Sequence, residues 1–365
     1  MTAMTRCLDR PGSVPRLSAL HVNRPRLAQP LLNSPARVKL LCAPAGSGKS
    51  ALFAECLAQA PAGCTVHWLA LHGVAQSPDQ LCRALARTLG LEAQDEPQLL
   101  AGIVTEVGSN VTRFKPGDAV FASLFDLGTG AIAEFAVVPE SAAALKPANL
   151  SFEQAASIPM VGLTSWQALK ERLTLQAGQK VFIPAGSGGI GTFAIQLAKH
   201  LGAKVGTTTS TGNVDLVRAL GADEVVDYKT QDFETVLRDY DAVLGTVRGD
   251  AIEKSMSILR PGSQIVSLIG PLDAAFARAK RLNVLLTFVF GLMSRKIMRL
   301  AKRRNVKYSF LFVQPDGAQL AEIGKLLDAQ QIKPVIDRVF PFEDAKGALE
   351  YLAQGRSKGK VVIKM

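Results

Sequence analysis

The run Lys180-Val-Phe-Ile-Pro-Ala-Gly-Ser-Gly-Gly-Ile-Gly-Thr-Phe-Ala-Ile-Gln-Leu-Ala-Lys-His-Leu-Gly202 decides the fold class. Val181 to Ile183 is a short apolar segment of the kind that forms a buried parallel strand. A turn holding Gly186, Gly188, Gly189 and Gly191 follows it. Ile190, Ala194, Leu197, Ala198 and Leu201 then recur at helical spacing, so the turn feeds a helix with one apolar face. In a strand–turn–helix unit of this kind, missing side chains let the backbone approach a pyrophosphate. The helix N-terminus offers N–H groups to the anion.

Alone, a glycine pattern such as Gly186-Ser-Gly-Gly-Ile-Gly191 is a weak signal. Continuation strengthens the signal. A second apolar strand over Lys204–Thr209, a helix over Val214–Leu220 and a third strand over Glu224–Tyr228 complete a βαβαβ half of a nucleotide-binding sheet. NAD enzymes place an Asp or Glu about 20 residues past the first glycine, where it holds the ribose 2′-hydroxyl. Between Ala203 and Val214 this chain has no acid, and Thr207 to Thr209, Ser210, Thr211 and Asn213 stand there instead. Small hydrogen-bonding groups tolerate a 2′-phosphate, which favours NADP over NAD.

Composition bounds the rest. With 365 residues, 48% of them apolar and 20% charged, the chain has room for two or three packed domains. Met1–Pro15 contains no apolar core, and Val284–Met293 is too short to span a bilayer, so a cytoplasmic location is expected. All five cysteines lie at or before Cys82, and from Arg83 onward His200 is the only histidine. No zinc site is therefore expected downstream. The net charge of +11 is local: residues 274–315 carry ten Lys/Arg and no acid. The rest of the chain is close to neutral, which argues against a nucleic-acid-binding protein.

Near the N-terminus, Val38–Cys42 reads as a strand, followed by Ala43-Pro-Ala-Gly-Ser-Gly-Lys-Ser50 and a helical run through Leu52, Phe53, Cys56 and Leu57. This is a phosphate-binding P-loop pattern with Ala43 in place of its first glycine. Gly48, Lys49 and Ser50 are the candidate residues for ATP and Mg²⁺. With Arg24-Pro-Arg-Leu27 upstream and His67–Leu71 downstream, the stretch from about residue 20 to 95 resembles the start of the ATPase module of LuxR/MalT-type regulators. The acidic strand that such a module needs is not found after it. A segment that holds a nucleotide weakly or not at all is the favoured expectation over ATP hydrolysis.

From Gly102 the character changes. Gly102–Phe121 alternates like β-hairpins, with turns at Gly108-Ser-Asn110 and Pro116-Gly-Asp118, and Ala131–Val138 reads as a further strand. From here to Met365 the chain resembles a zinc-free medium-chain dehydrogenase/reductase of the NADPH:quinone reductase type. The motifs that carry the likeness are Val107–Asp118, Val161–Leu169, Ala185–Gly191, Leu220–Tyr228, Leu259–Ser263 and Gly359–Ile363. The resemblance implies that Ser187, Gly188, Gly189 and Ile190 hold the pyrophosphate. It puts Ser210 and Tyr228 around the 2′-phosphate, Thr164 near the cofactor, and Ile269-Gly270 at the carboxyl edge where nicotinamide lies.

Two departures stand out. The family's Asp-x-x-Gly-Gly continuation reads Gly245-Thr-Val-Arg-Gly249 here, and the strands that open a GroES-like catalytic domain are replaced by the P-loop-like segment. The expected architecture is thus α/β: a doubly wound Rossmann sheet plus a truncated GroES-like β domain, after a partial P-loop fragment. Its parts are residues 1–100 (P-loop-like), 101–160 with 314–365 (GroES-like, a half-barrel), and 161–313 (Rossmann, with a basic and apolar insertion at 274–307).

The expected activity is NADPH-dependent, metal-free hydride transfer to a quinone or an α,β-unsaturated carbonyl. No side chain is singled out as general acid, which leaves solvent as the proton source. A cofactor-holding fusion without a working pocket is the alternative, and an ATP-responsive regulator the third reading. The insertion fits a cleft lid or dimer contact, and also a peripheral membrane contact. Tyr308–Phe312 reads as an edge strand suited to pairing in a homodimer.

Overall fold

The computed structural model describes residues 99–127, 131–133, 135–279 and 284–365. Gly48, Lys49 and Ser50 lie outside the described residues, as does the whole P-loop-like segment.

The described chain opens with β1 (Leu99–Ile103) and β2 (Ala119–Ser123), an antiparallel pair, and β3 (Ala143–Leu145), which pairs with β2. Two helices follow, α1 (Phe152–Ala156) and α2 (Pro159–Trp166), and α2 runs on into a π-helical turn, Gln167–Arg172. The start of α1 is set by a reciprocal capping box: Ser151 accepts from the Gln154 backbone N–H, and Gln154 accepts from that of Ser151.

The nucleotide unit is then β4 (Lys180–Ile183), α3 (Gly189–His200), β5 (Lys204–Thr209), α4 (Val214–Ala219), β6 (Glu224–Asp227), α5 (Phe233–Val236), β7 (Tyr240–Gly245), α6 (Ala251–Ser255) and β8 (Leu259–Ser267). α7 (Ala274–Ala279), α8 (Val284–Met293) and α9 (Arg295–Arg303) lead to β9 (Lys307–Phe310). α10 (Gly317–Asp328), β10 (Ile336–Pro341), α11 (Ala345–Ala353) and β11 (Lys360–Lys364) close the chain.

β4 to β9 form one parallel sheet in the order β6-β5-β4-β7-β8-β9. Counted from its first strand this is 3-2-1-4-5-6, the doubly wound Rossmann order. Side chains alternate between two apolar layers, as a sheet covered on both faces requires. Val181, Ile183, Ala242, Leu244 and Val266 enter the core built with α2, α3 and α10. Phe182, Val243, Ile265 and Tyr308 enter a second core with α6 and α9.

Order reverses between β4 and β7. Their register pairs only Val181 with Ala242 and Phe182 with Val243, while β7 continues to Gly245. The carboxyl ends of the two central strands therefore part and open a crevice, where such sheets bind their ligands.

Outside the Rossmann sheet the expectations need two corrections. Ala131–Val138 forms no strand in its described residues, and Phe135 and Val137 are exposed. Apolar alternation does not suffice without a partner edge, and both edges of β2 are already taken by β1 and β3. Nor do the early strands join the C-terminal ones into a single half-barrel. β10 and β11 pair with each other in parallel, as a separate two-stranded sheet.

Candidate active site

The glycine loop is shaped by close packing as well as by freedom for a ligand. A Cβ on Gly191 would lie 2.5 Å from the Ala185 carbonyl oxygen and 2.6 Å from the Gly186 Cα. One on Gly186 would collide with the Thr207 hydroxyl. The first and last glycines thus bring α3 down onto the β4–β5 strand ends. Gly188 is the residue before α3, and no side chain caps that helix. Its first-turn N–H groups, beginning at Gly189 and Ile190, are therefore available to an outside acceptor. The loop is pinned from β5: Gly186 N–H donates to the Thr208 carbonyl at 2.9 Å, and Ala185 N–H to the Thr208 hydroxyl at 3.0 Å.

Beside it lies a neutral polar cluster. The Ser187 hydroxyl oxygen accepts from the Thr209 hydroxyl at 2.9 Å and from the Asn213 amide at 3.2 Å. Asn213 also donates to the Ser210 Oγ at 3.2 Å. Tyr228, largely exposed, follows β6, and its N–H donates to the Thr209 carbonyl at 3.1 Å. The structure thus brings together Ser187, Ser210 and Tyr228, which the sequence separates by up to two strand–helix units.

Asp227 is the residue whose part here is not evident from the sequence. It accepts from the Thr211 hydroxyl and from the Lys229 N–H, and these bonds, the hydroxyl first, hold its carboxyl below the ordinary range. It thereby fixes the 210–213 loop. The periodicity marks it only as a strand end.

On the other side of the crevice, the Thr246 hydroxyl at the end of β7 donates to the Pro184 carbonyl at 2.7 Å, spanning the point where the strand order reverses. Ile269 and Gly270 follow β8, held by the Ser267 hydroxyl, which donates to the Gly270 carbonyl at 2.8 Å. They line a cavity of about 320 Å³ with Arg248, Ile252, Lys296 and Ile297. Tyr308 donates to the Pro271 carbonyl at 2.8 Å, and burial pushes its phenol up to about 12. Thr164 is buried within α2.

The C-terminal strand reaches the loop as well. Gly359 N–H donates to the Ser187 carbonyl at 2.9 Å and Gly359 pairs with Gly188 in a parallel bridge. The Lys360 stem packs beside Gly189, and burial pulls its amine below the ordinary lysine range. The Gly359-Lys360 motif is visible in the sequence, whereas its contact with the glycine loop is a tertiary fact.

Comparison with known proteins fits this geometry. Residues 220–363 match the family model described as zinc-binding dehydrogenase, and residues 88–148 match the alcohol dehydrogenase GroES-like domain. The mitochondrial NAD(P)H oxidoreductase RTN4IP1 of Danio rerio is 35% identical over 273 residues, covering 72% of this chain and 70% of that protein. The chain belongs to the medium-chain dehydrogenase/reductase family.

Among other members, the 2-methylene-furan-3-one reductase of Solanum lycopersicum is 33% identical, over 72% of this chain and 62% of its own length. The structure of the quinone oxidoreductase from Coxiella burnetii superposes with a TM-score of 0.63 at 32% identity, covering 73% of this chain and 77% of that one. The protein is thus an oxidoreductase using a nicotinamide cofactor, built on a Rossmann sheet with a GroES-like domain.

The residues present fit that cofactor. The uncapped α3 terminus faces a loop in which Gly188 and Gly189 leave the backbone bare, and the hydroxyl–amide cluster stands at the ribose end of the crevice. Although one family model is named for zinc, no group of three His, Cys, Asp or Glu side chains suited to a metal occurs among the described residues.

Proposed function

We propose that this member of the family is an NADPH-dependent, zinc-independent reductase of quinones or α,β-unsaturated carbonyls. The observation that carries the cofactor choice is the Ser187–Thr209–Asn213–Ser210 cluster at the end of β5. Every group in it is neutral and hydrogen-bonding, β5 itself ends in no carboxylate that would accept a 2′-hydroxyl, and the Asp227 carboxylate beside it is held by the Thr211 hydroxyl and the Lys229 N–H. The substrate class rests on what the tomato and Coxiella relatives are named for. Zinc independence rests on the supply of ligands after Arg83, which holds no cysteine and only His200.

Bound NADPH supplies the hydride. The chain's contribution is placement. The α3 terminus and the bare glycine backbone hold the pyrophosphate, and the neutral cluster receives the adenosine end. The Thr246–Pro184 bond keeps the crevice walls at a fixed separation, and the Ser267-braced turn at Ile269-Gly270 forms the far wall. An electron-poor alkene or quinone accepts hydride without a metal to stabilise an alkoxide, so positioning can account for turnover.

The test is a fluorescence titration of the purified chain with NADPH and NADH, followed by NADPH oxidation with a simple quinone and a simple enone. NADPH is expected to bind at least tenfold more tightly, and turnover is expected with one or both acceptors. Ser210→Asp places a carboxylate where the 2′-phosphate would lie and should reverse the preference. Equal affinities in the wild type would overturn the cofactor assignment, and tight binding without turnover would leave a cofactor-holding protein.

A further inference from the structure

α8 and α9 form one helical path. Across the joint at Ser294 the i-to-i−4 bonds continue: Ser294 N–H donates to the Phe290 carbonyl at 3.0 Å, and Met298 N–H to the Ser294 carbonyl at 2.9 Å. One stripe of this path faces the protein. The Phe290 ring stacks on Phe276, Ser294 is buried, and Ile297 and Ala301 join the second core of the Rossmann sheet. The opposite stripe is composed unlike an ordinary solvated face.

Phe288 is 68% exposed and Leu292 is 56% exposed, one helical turn apart. The same stripe continues, at spacings of three and four, through the exposed Arg295, Arg299 and Lys302, with Met298 exposed beside them. The stripe is therefore apolar in its first half and cationic in its second. From Phe288 to Lys302 it runs about 21 Å at 1.5 Å per residue. Lys296 is paired with Glu253 at 2.9 Å, but Arg295, Arg299 and Lys302 form no ion pair among the described residues. Residues 274–315 contain no acid at all.

We propose that this face docks the protein on an anionic lipid surface, with Phe288 and Leu292 entering the acyl boundary and Arg295, Arg299 and Lys302 resting against lipid phosphates. Two apolar side chains gain from leaving water only if the partner is apolar there, whereas the cations next to them require a negative layer. A bilayer of anionic lipids presents both within one helix length. A nucleic acid would satisfy the cations and leave the aromatic and leucine side chains unused. A second copy of the chain related by a two-fold axis would bring two acid-free cationic segments together. No helix of the described residues is long and apolar enough to cross a membrane, so the contact is peripheral.

The experiment is co-sedimentation of the full chain with vesicles of phosphatidylcholine, with and without phosphatidylserine, over a range of salt. Binding is expected to the anionic vesicles, at least tenfold tighter than to the neutral ones and weakening as salt rises. The double variant Phe288→Ser/Leu292→Ser should lose roughly tenfold or more in vesicle affinity, while its melting temperature and NADPH titration stay at wild-type values. The triple variant Arg295→Gln/Arg299→Gln/Lys302→Gln should lose the preference for phosphatidylserine. No binding to anionic vesicles overturns the proposal, as does a double variant that melts normally and binds them unchanged. So does a wild-type dimer that the double variant converts to monomer, or duplex DNA that displaces the vesicles from wild type and double variant alike.

Discussion

At the residue scale the site depends on Gly191 and Gly186, whose positions are dictated by contacts that leave no room for a side chain. Gly191→Ala would push a methyl to 2.5 Å from the Ala185 carbonyl and against the Gly186 backbone, so either α3 or the loop must retreat. The expected result is a stability loss of roughly 1–3 kcal/mol from overpacking. NADPH affinity should also fall by at least tenfold, because the first-turn N–H groups move with the helix. Thermal melts and a fluorescence titration of the same preparation check both. A fall in stability with unchanged affinity would mean that the loop does not hold the cofactor. These glycines are legible in the sequence because they sit in a strand–turn–helix pattern. Asp227 and Lys360 are not, since each acts through a partner brought close only by folding: Thr211 for the one, the glycine loop for the other.

At the scale of elements, period and pairing divide what a sequence can disclose. β5 spans Lys204–Thr209, the residues that its apolar run and flanking turns predict, because a central strand buried on both faces carries its signal in its own composition. Ala131–Val138 has comparable alternation but meets no partner edge, so local pattern fails where a long-range choice decides. The same limit hides the clasp at Gln167. Its buried amide donates to the Gln314 carbonyl at 2.8 Å and to Gln319 at 2.9 Å, and its carbonyl accepts from the Gln314 N–H at 3.0 Å. It ties the π-helical turn to the entry of α10. Gln167→Leu keeps the shape but leaves those partners unsatisfied, and should cost about 1–3 kcal/mol in denaturant unfolding.

A second tie joins α1 to β11. The Lys364 ammonium, 2.8 Å from Glu153, holds that carboxyl down at about 2 from an ordinary 4.5. Because the folded value is the lower one, the pair contributes fully above about 4.5, and its contribution is lost as pH falls toward 2. The melting-temperature difference between wild type and Lys364→Met should accordingly be constant near neutrality and close between pH 5 and 2. A difference that persists at pH 2 would show that Lys364 acts through packing instead.

At the scale of the whole molecule, the last strand of the chain and the first loop of the nucleotide unit are one structure. Gly359 donates to Ser187 and pairs with Gly188, while β11 is held to β10 along its length and to α1 through Glu153. A ligand seated on Gly188 and Gly189 therefore stabilises a segment some 170 residues further along the chain, in a different sheet. NADPH at a hundredfold excess over its Kd should raise global stability by about 2.7 kcal/mol through linkage alone. Hydrogen exchange at the Gly359 and Lys360 amides should slow on NADPH addition by more than exchange does in α11, which touches no part of the loop among the contacts described. In Gly191→Ala, where the loop is displaced, that added protection should be lost even at saturating cofactor. If both amides instead slowed only in step with the global change, the bridge between Gly188 and Gly359 would carry no coupling, and the two sheets would respond to the cofactor independently.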